Sequence, residues 1–542
     1  FTMTQTLDVR VNEAWSDALK SWNSPSVPYV IAPSNLKEVR GMGEIGKALE
    51  GEFAFMKYPE FQTYMNLERI VQKFPTDPQR AAKAIAKHEV GHRFCPYDIV
   101  TLITLNHAMS KALEAQKIPY DAKAAAQNIM NLFTDTCINT RLVQKGDEDI
   151  SWVYQGLSKE KKGSKLWNVY GRSMELIWKR DILPKKTKLS AEEKTSAQDL
   201  AELFTRDYFN RDTWKDNGIR YAEIISKFLE NEEQDGDSGL DNSLGNNLPK
   251  TIDEKTAQDL AKRLAQIGSD GLPQNAEGMK EFQEIMAGYG KGDAIQASIQ
   301  FYDMLSKSYD VMFATRPFGR PRTNPFQPVK WNPSMGTERL DVDYSIHAGG
   351  KIIPGVNTYA WNTRKRDAFG GLEEVVPNLD IYLDTSMSMP NPIQQISLPV
   401  LAGFVVAKKA HRKGANIRVT NFSGKGQSVT QDNTRELNKV FETLVVHYNG
   451  GTVFPTATLS EGTDPRQVLI ITDTFLGNEA ETTNAVSNLR SRNKANKVTV
   501  YEIHPGSHGS YLRGAGAEVI NGTTTDIFKR VIGKANEVYA NA

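Results

Sequence analysis

Apolar positions in the first 180 residues recur at the three-to-four spacing of helix faces, and two helices announce their own starts. Asp77-Pro78 precedes QRAAKAIAKHEVGHRF. An Asp that accepts from unpaired amides, followed by a Pro whose missing N–H is not needed there, predicts a helix that Pro96 stops. Asp121 likewise opens AKAAAQNIMNLFTDTCINTRLVQK, which runs to Gly146. The spacing predicts further helix over 181–230 and over 255–315. From about Asn378 the pattern changes. LDIYLDTS, NIRVTNFSG, QVLIITDTF, KVTVYEIHP and GAEVIN read as strands. IQQISLPVLAGFVVAKKAHRKG, NTRELNKVFETLVV, ETTNAVSNLRSRNKANK and DIFKRVIGKANEVYA read as the helices that follow them. Such alternation predicts a doubly wound parallel sheet covered on both faces. The expected class is therefore an α+β multidomain chain, mostly helical in its first half and α/β at its C-terminal end.

Two stretches break the regular pattern. Glu230–Asp241 carries six carboxylates and no cation, and Gly, Asn and Ser continue it to Pro249. It reads as a flexible linker or surface loop. Its DGDSGLDN core lacks the twelve-residue spacing and closing Glu of a calcium loop. Further on, RPFGRPRTNPFQPVKW interleaves four cations, two Phe and a Trp with four prolines. Aromatics and cations together can grip single-stranded nucleic acid. The same composition also suits an extended strap across another surface. The expected divisions are 1–229 (helical domain), 230–254 (acidic linker), 255–371 (helical segment with an extended connector) and 372–542 (α/β domain).

Composition narrows the classes. With 39% hydrophobic and 24% charged residues, the chain can build cores and is not globally disordered. Lys plus Arg is 66 and Asp plus Glu 65, a balance that argues against a dedicated nucleic-acid binder and favours the strap. Two cysteines exclude a disulfide framework and a cysteine-based zinc finger. The longest apolar run, Leu398–Ala407, would rise only about 15 Å as a helix, too short for a bilayer. The first residues lack the charged start and apolar core of a secretory signal. A cytoplasmic, membrane-free protein is the expectation.

His88-Glu89-Val90-Gly91-His92 is H-E-x-x-H on a predicted helix. Residues four apart share a face, so both imidazoles can reach one metal, and Glu89 beside them can take a proton from water. Two imidazoles, an oxygen ligand and an open position suit Zn²⁺. The third ligand has to come from elsewhere. In the Asp121–Gln144 segment, Asn131, Asp135 and Asn139 form the one polar stripe on an apolar helix. An Asp facing a core needs a partner, so Asp135 is the candidate, with the two asparagines as outer donors. The competing readings are that this stripe bonds neighbouring backbone, and that Cys95, seven residues after His88, supplies the ligand instead.

A second constellation belongs to the α/β region. Asp384, Ser386 and Ser388 follow its first strand, Thr452 lies in the turn YNGGTVFP, and Asp473 ends the strand QVLIITD. All five map to carboxyl ends of strands, where open α/β sheets bind ligands. Their oxygens suit a hard cation such as Mg²⁺ (or Mn²⁺ or Ca²⁺), while helix capping is the ordinary alternative role.

The order D-x-S-x-S, Gly-Gly-Thr and strand-I-T-D resembles the metal-ion-dependent adhesion site of von Willebrand factor A domains. The resemblance implies that Ser386, Ser388 and Thr452 bind the metal through hydroxyls, and Asp384 and Asp473 directly or through water. It also implies a coordination position left for a carboxylate of a partner protein. Met387 and Thr474 stand where that family more often has Gly. HEVGHRFCPYD followed by NLFTDTCINTRL, with the connector LDVDYSIHAGGKIIPGVNTYAW, resembles bacterial zincin-like metallopeptidase domains fused upstream of a von Willebrand A-like domain. This implies a zincin-like fold, supports Asp135, and suggests a protein or peptide substrate and a MoxR-type AAA+ ATPase as partner. Two functions remain open: a zinc-dependent peptidase, or a non-enzymatic metal-dependent adaptor for such an ATPase. Glu89 favours the first, because a closed structural site has no use for a general base.

Overall fold

The computed structural model describes residues 3–24, 30–33, 35–57, 62–96, 98–119, 121–159, 164–231, 248–249, 251–269, 271–313, 324–332, 340–342, 345, 358–364, 377–459, 464–473, 476–503 and 509–539. The chain forms two compact units, Phe1–Thr256 and Ala257–Ala542. Most of the acidic linker, the Pro-rich residues 314–323, Tyr97 and Thr474 lie outside the described residues.

The first unit is built on helices. Pro78–Gly91 is capped by Asp77, which accepts from Arg80 N at 3.0 Å, and Ala122–Gln144 is capped by Asp121. These two pack with Ile99–Ala115, Asp149–Ser158, Lys165–Trp178 and Trp214–Ile225 around a core that includes Trp15, Phe133, Tyr170 and Tyr221. Each such aromatic contributes on the order of 2–3 kcal/mol by leaving water. Gly91 is where the two capped helices meet. A Cβ there would lie 2.4 Å from Ile138 Cγ2 and 2.9 Å from Trp22 Cζ2, so only glycine permits this approach. The first of these helices ends at Gly91, not at Pro96 as expected. Its last turn tightens, with His92 N on Glu89 O at 3.1 Å and Phe94 N on Gly91 O at 2.8 Å. The helical pattern also hid an antiparallel pair, β1 (Ala54–Lys57) and β2 (Gln62–Met65). Four-residue strands buried on most positions show no alternation.

The second unit holds two sheets. Asn324–Lys330 (β3), Leu340–Asp341 (β4) and Tyr359–Arg364 (β5) form an antiparallel sheet in the order β3-β5-β4. The end of the Pro-rich strip is thus a strand. The larger sheet contains β6 (Asn378–Asp384), β7 (Ile417–Phe422), β8 (Ser428–Thr434), β9 (Arg466–Thr472), β10 (Lys497–Glu502) and β11 (Glu518–Asn521), in the order β11-β10-β9-β6-β7-β8. It is mixed, which corrects the expectation of a wholly parallel sheet: β8 runs antiparallel to β7. The turn Ser423–Gln427 is too short for a crossover, so β8 can only fold back as a hairpin. Its sequence, SVTQDNT, is that of a polar edge strand and carries no strand signature.

Leu398–Arg412 and Thr524–Tyr539 cover one face of this sheet, and Glu479–Arg492 and Ser510–Gly514 the other. The preceding helix Ala294–Phe313 packs onto the same layers. Tyr302 Oη accepts from Ser397 N at 2.8 Å, Asp303 pairs with Lys408, and the rings of Tyr309 and Phe528 lie 5.1 Å apart. Strand order reverses between β6 and β9, which places a crevice at their carboxyl ends.

Candidate functional site

His88 and His92 project from the end of their helix toward Asp135 on the neighbouring one. The two Nε2 atoms are 3.2 Å apart, and Asp135 Oδ1 lies 3.5 Å from His88 Nε2 and 3.6 Å from His92 Nε2. Three ligands of a tetrahedral zinc, at about 2.0–2.1 Å from the ion, stand roughly 3.3–3.4 Å from one another. The triangle therefore has the size the ion requires. Asp135 Oδ1 is buried and has no hydrogen-bond partner, so it is a lone pair without a donor. These three residues are the group of histidine, cysteine and acidic side chains, among the described residues, whose ligand atoms converge closely enough to hold a metal ion.

The far side of each ring is also engaged. His88 Nδ1 contacts Asn139 Oδ1 at 2.7 Å, and His92 Nδ1 contacts the Cys95 carbonyl at 3.3 Å. With the Asn139 oxygen toward His88, both contacts place the ring proton on Nδ1 and leave Nε2 for the centre. Cys95 thus serves through its backbone and its thiol is not part of the converging group, which corrects its candidacy as a ligand. Asn139 acts toward His88 as an acceptor, not as the donor expected of it. Its Nδ2 donates to Tyr154 Oη at 2.8 Å.

Charges in this buried cluster oppose one another. Burial alone would lower His88, but the Asp135 carboxylate, with Glu89 behind it, overrides this and lifts it to about 9. For His92, burial and the charge of His88 act together and lower it to about 3. Without a metal, one proton is held between the two rings. Burial lifts Glu89 to about 8 against the pull of His88. A cation in the triangle acts the other way and favours the carboxylate. Glu89 is 1% exposed and its Oε2 has no hydrogen-bond partner. It lines a cavity of about 60 Å³ together with His88, Asp135, Tyr154 and a wall of Phe53, Ala54, Ile85, Ile150, Val153 and Leu157. Tyr154 and the wall from β1 carry no motif, and only the packing of Asp149–Ser158 against the histidine helix brings the tyrosine here.

The second constellation gathers at the switch point of the six-stranded sheet. Asp384 is buried. Its Oδ1 accepts from Ser386 N at 2.8 Å and its Oδ2 from Thr472 Oγ1 at 2.6 Å. Thr472 escaped the sequence reading, which treated it as part of the strand. Ser386 Oγ and Ser388 Oγ are 3.3 Å apart, and Ser388 donates to Asp473 Oδ1 at 3.1 Å. Adjacent ligands of an octahedral Mg²⁺ stand about 2.9 Å apart, within a few tenths of an ångström of these spacings. Met387 N donates to Gly450 O at 3.1 Å, and Gly477 N to Thr452 O at 2.8 Å. The turn carrying Thr452 is thereby stitched to both loops. Burial raises Asp384 to about 6, with the hydrogen bonds from Thr472 and Ser386 pulling it back and Asp473 adding to the rise. Met387, between the two serines, is 72% exposed. No helix among the described residues is long and apolar enough to cross a membrane. No family model matches the chain, and no curated protein matches it.

Proposed function

We propose that the chain is a zinc-dependent metallopeptidase with a zincin-like centre, and that its von Willebrand A-like sheet carries a Mg²⁺-dependent site for a partner protein. The observation that carries the reading is the triangle of His88 Nε2, His92 Nε2 and Asp135 Oδ1, with the buried Glu89 lining the same cavity as His88 and Asp135. When bound there, zinc would polarise a carbonyl and acidify water. His88, His92 and Asp135 hold the ion, and Asn139 and Cys95 orient the rings. Glu89 takes the proton of the attacking water and passes it to the leaving amine. The apolar wall keeps bulk water away and strengthens each of these interactions.

The test is Glu89→Gln in the full chain, incubated with zinc and a mixed peptide library. Zinc content is expected to stay at the parent level while cleavage falls at least about 100-fold. Unchanged cleavage removes Glu89 from the mechanism.

One observation favours the adaptor as a second reading. The cavity has space for about four or five waters, and His88, Glu89, His92 and Asp135 are at most 8% exposed. A cavity of this size has no room for a peptide segment. In either reading, the sheet-edge site takes a partner's Asp or Glu, because a hard cation with a vacant position prefers an anionic oxygen. A MoxR-type AAA+ ATPase is the proposed partner, on the sequence resemblance. Association is expected to require Mg²⁺ and to vanish with Asp473→Asn. A complex that survives both chelation and this change places docking elsewhere.

A further inference from the structure

Asn139 is fully buried between His88 Nδ1 and Tyr154 Oη, at 2.7 and 2.8 Å. A side-chain amide can be turned over with almost no change of shape, and each orientation makes a self-consistent chain. In one, His88 Nδ1–H donates to Oδ1 and Nδ2 donates to Tyr154. In the other, Tyr154 donates to Oδ1 and Nδ2 donates to His88 Nδ1. The second places the proton of a neutral His88 on Nε2, the atom that faces His92 and Asp135, and closes the centre to a metal. Only the first leaves Nε2 bare.

The ring of Tyr154 is held in place, so only its hydroxyl proton can turn. Its ring stacks on Trp167 at 6.1 Å and 6°, and meets Trp178 edge-on at 5.7 Å. Its hydroxyl lies 3.5 Å from Tyr170 Oη, a second oxygen that can take its proton once it accepts from Asn139. We propose that Tyr154 is a positioning residue for the metal centre: by accepting from Asn139 Nδ2 it holds the amide in the orientation that gives His88 its metal-binding tautomer. This rests on the metal reading above.

Tyr154→Phe keeps the ring and removes the acceptor, so the amide is released to turn over. Zinc affinity of the full chain, measured by competition with a chromophoric chelator, is expected to fall about 10- to 100-fold. In an Asn139→Asp background the two carboxylate oxygens are alike and no wrong orientation exists. There Tyr154→Phe is expected to cost less than about threefold. An equal loss in both backgrounds would show that the hydroxyl acts through packing alone, and no loss in the parent background would show that it does nothing for the metal. A parent protein that binds no zinc would instead overturn the metal reading itself. Should Tyr154→Phe fail to fold, long-range ¹H–¹⁵N spectra of the metal-free parent at alkaline pH, with His88 neutral, decide the point. The proposal requires the proton on Nδ1, and a proton on Nε2 contradicts it.

Discussion

Asp135 Oδ1 lies 3.5 Å from His88 Nε2 across the interface of two helices, and no hydrogen-bond donor reaches it. An acceptor buried without a donor is costly, and here it faces two imidazoles at the spacing of a coordination sphere. The approach depends on Gly91, one residue before His92, where any side chain would strike Ile138.

Zinc binding should release protons. Free of metal, His88 keeps its proton up to about 9 and has to lose it to become a ligand. Glu89, raised to about 8 by burial, gives up a second as the cation favours its carboxylate. His92, lowered to about 3, contributes nothing near neutrality. Acid therefore weakens binding, with apparent affinity falling about tenfold per proton for each pH unit below these values. Titration calorimetry at pH 7 in buffers of different ionisation enthalpy is expected to show release of about one to two protons. Glu89→Gln should lower that number. Binding that releases none contradicts the assignment.

Asp384 has the opposite consequence for stability. Its folded value of about 6 lies above the usual 3.8, so the folded state holds this proton more tightly than the unfolded one. The group favours the fold in acid and opposes it as pH rises from about 4 to 6, by about 3 kcal/mol in all. Asp384→Asn is expected to leave the metal-free melting temperature at pH 7.5 unchanged or higher, and to remove the stabilisation that Mg²⁺ gives the parent. A melting temperature several degrees lower would make Asp384 a structural residue.

The α/β layers should fold best with the helices that precede them. A fragment begun at Leu372 would lose the contacts of Tyr302, Asp303 and Tyr309 with Ser397, Lys408 and Phe528. A fragment covering 254–542 is expected to melt cooperatively and about 5–10 °C higher than 372–542. Equal melting of the two would show that the helix Ala294–Phe313 contributes little.

Much of this was legible because it lies in local pattern. His88 and His92 share a face by spacing alone, and Asp135 stood out as an acid within a polar stripe of an otherwise apolar helix. The sheet-edge residues were legible because strand ends in α/β folds are where oxygen ligands gather. Tyr154 was not legible, since its place depends on the packing of Asp149–Ser158 against the histidine helix, which leaves no periodic trace. Strand β8 was missed because an exposed edge needs no hydrophobic face, and Thr472 because a buried threonine in a strand reads as packing. The division between 255–371 and 372–542 follows the change of pattern near Asn378. Contacts such as Tyr302 with Ser397 join sequence-distant residues and cannot be read that way.

The central claim is that His88, His92 and Asp135 hold one zinc and Glu89 does not. Metal analysis of the purified full chain after dialysis against a weak chelator tests it most directly. About one zinc per chain is expected in the parent and in Glu89→Gln, and close to none in His88→Ala and Asp135→Ala, a loss beyond the roughly 10- to 100-fold effects of outer residues. Zinc retained at the parent level in both His88→Ala and Asp135→Ala would contradict the account.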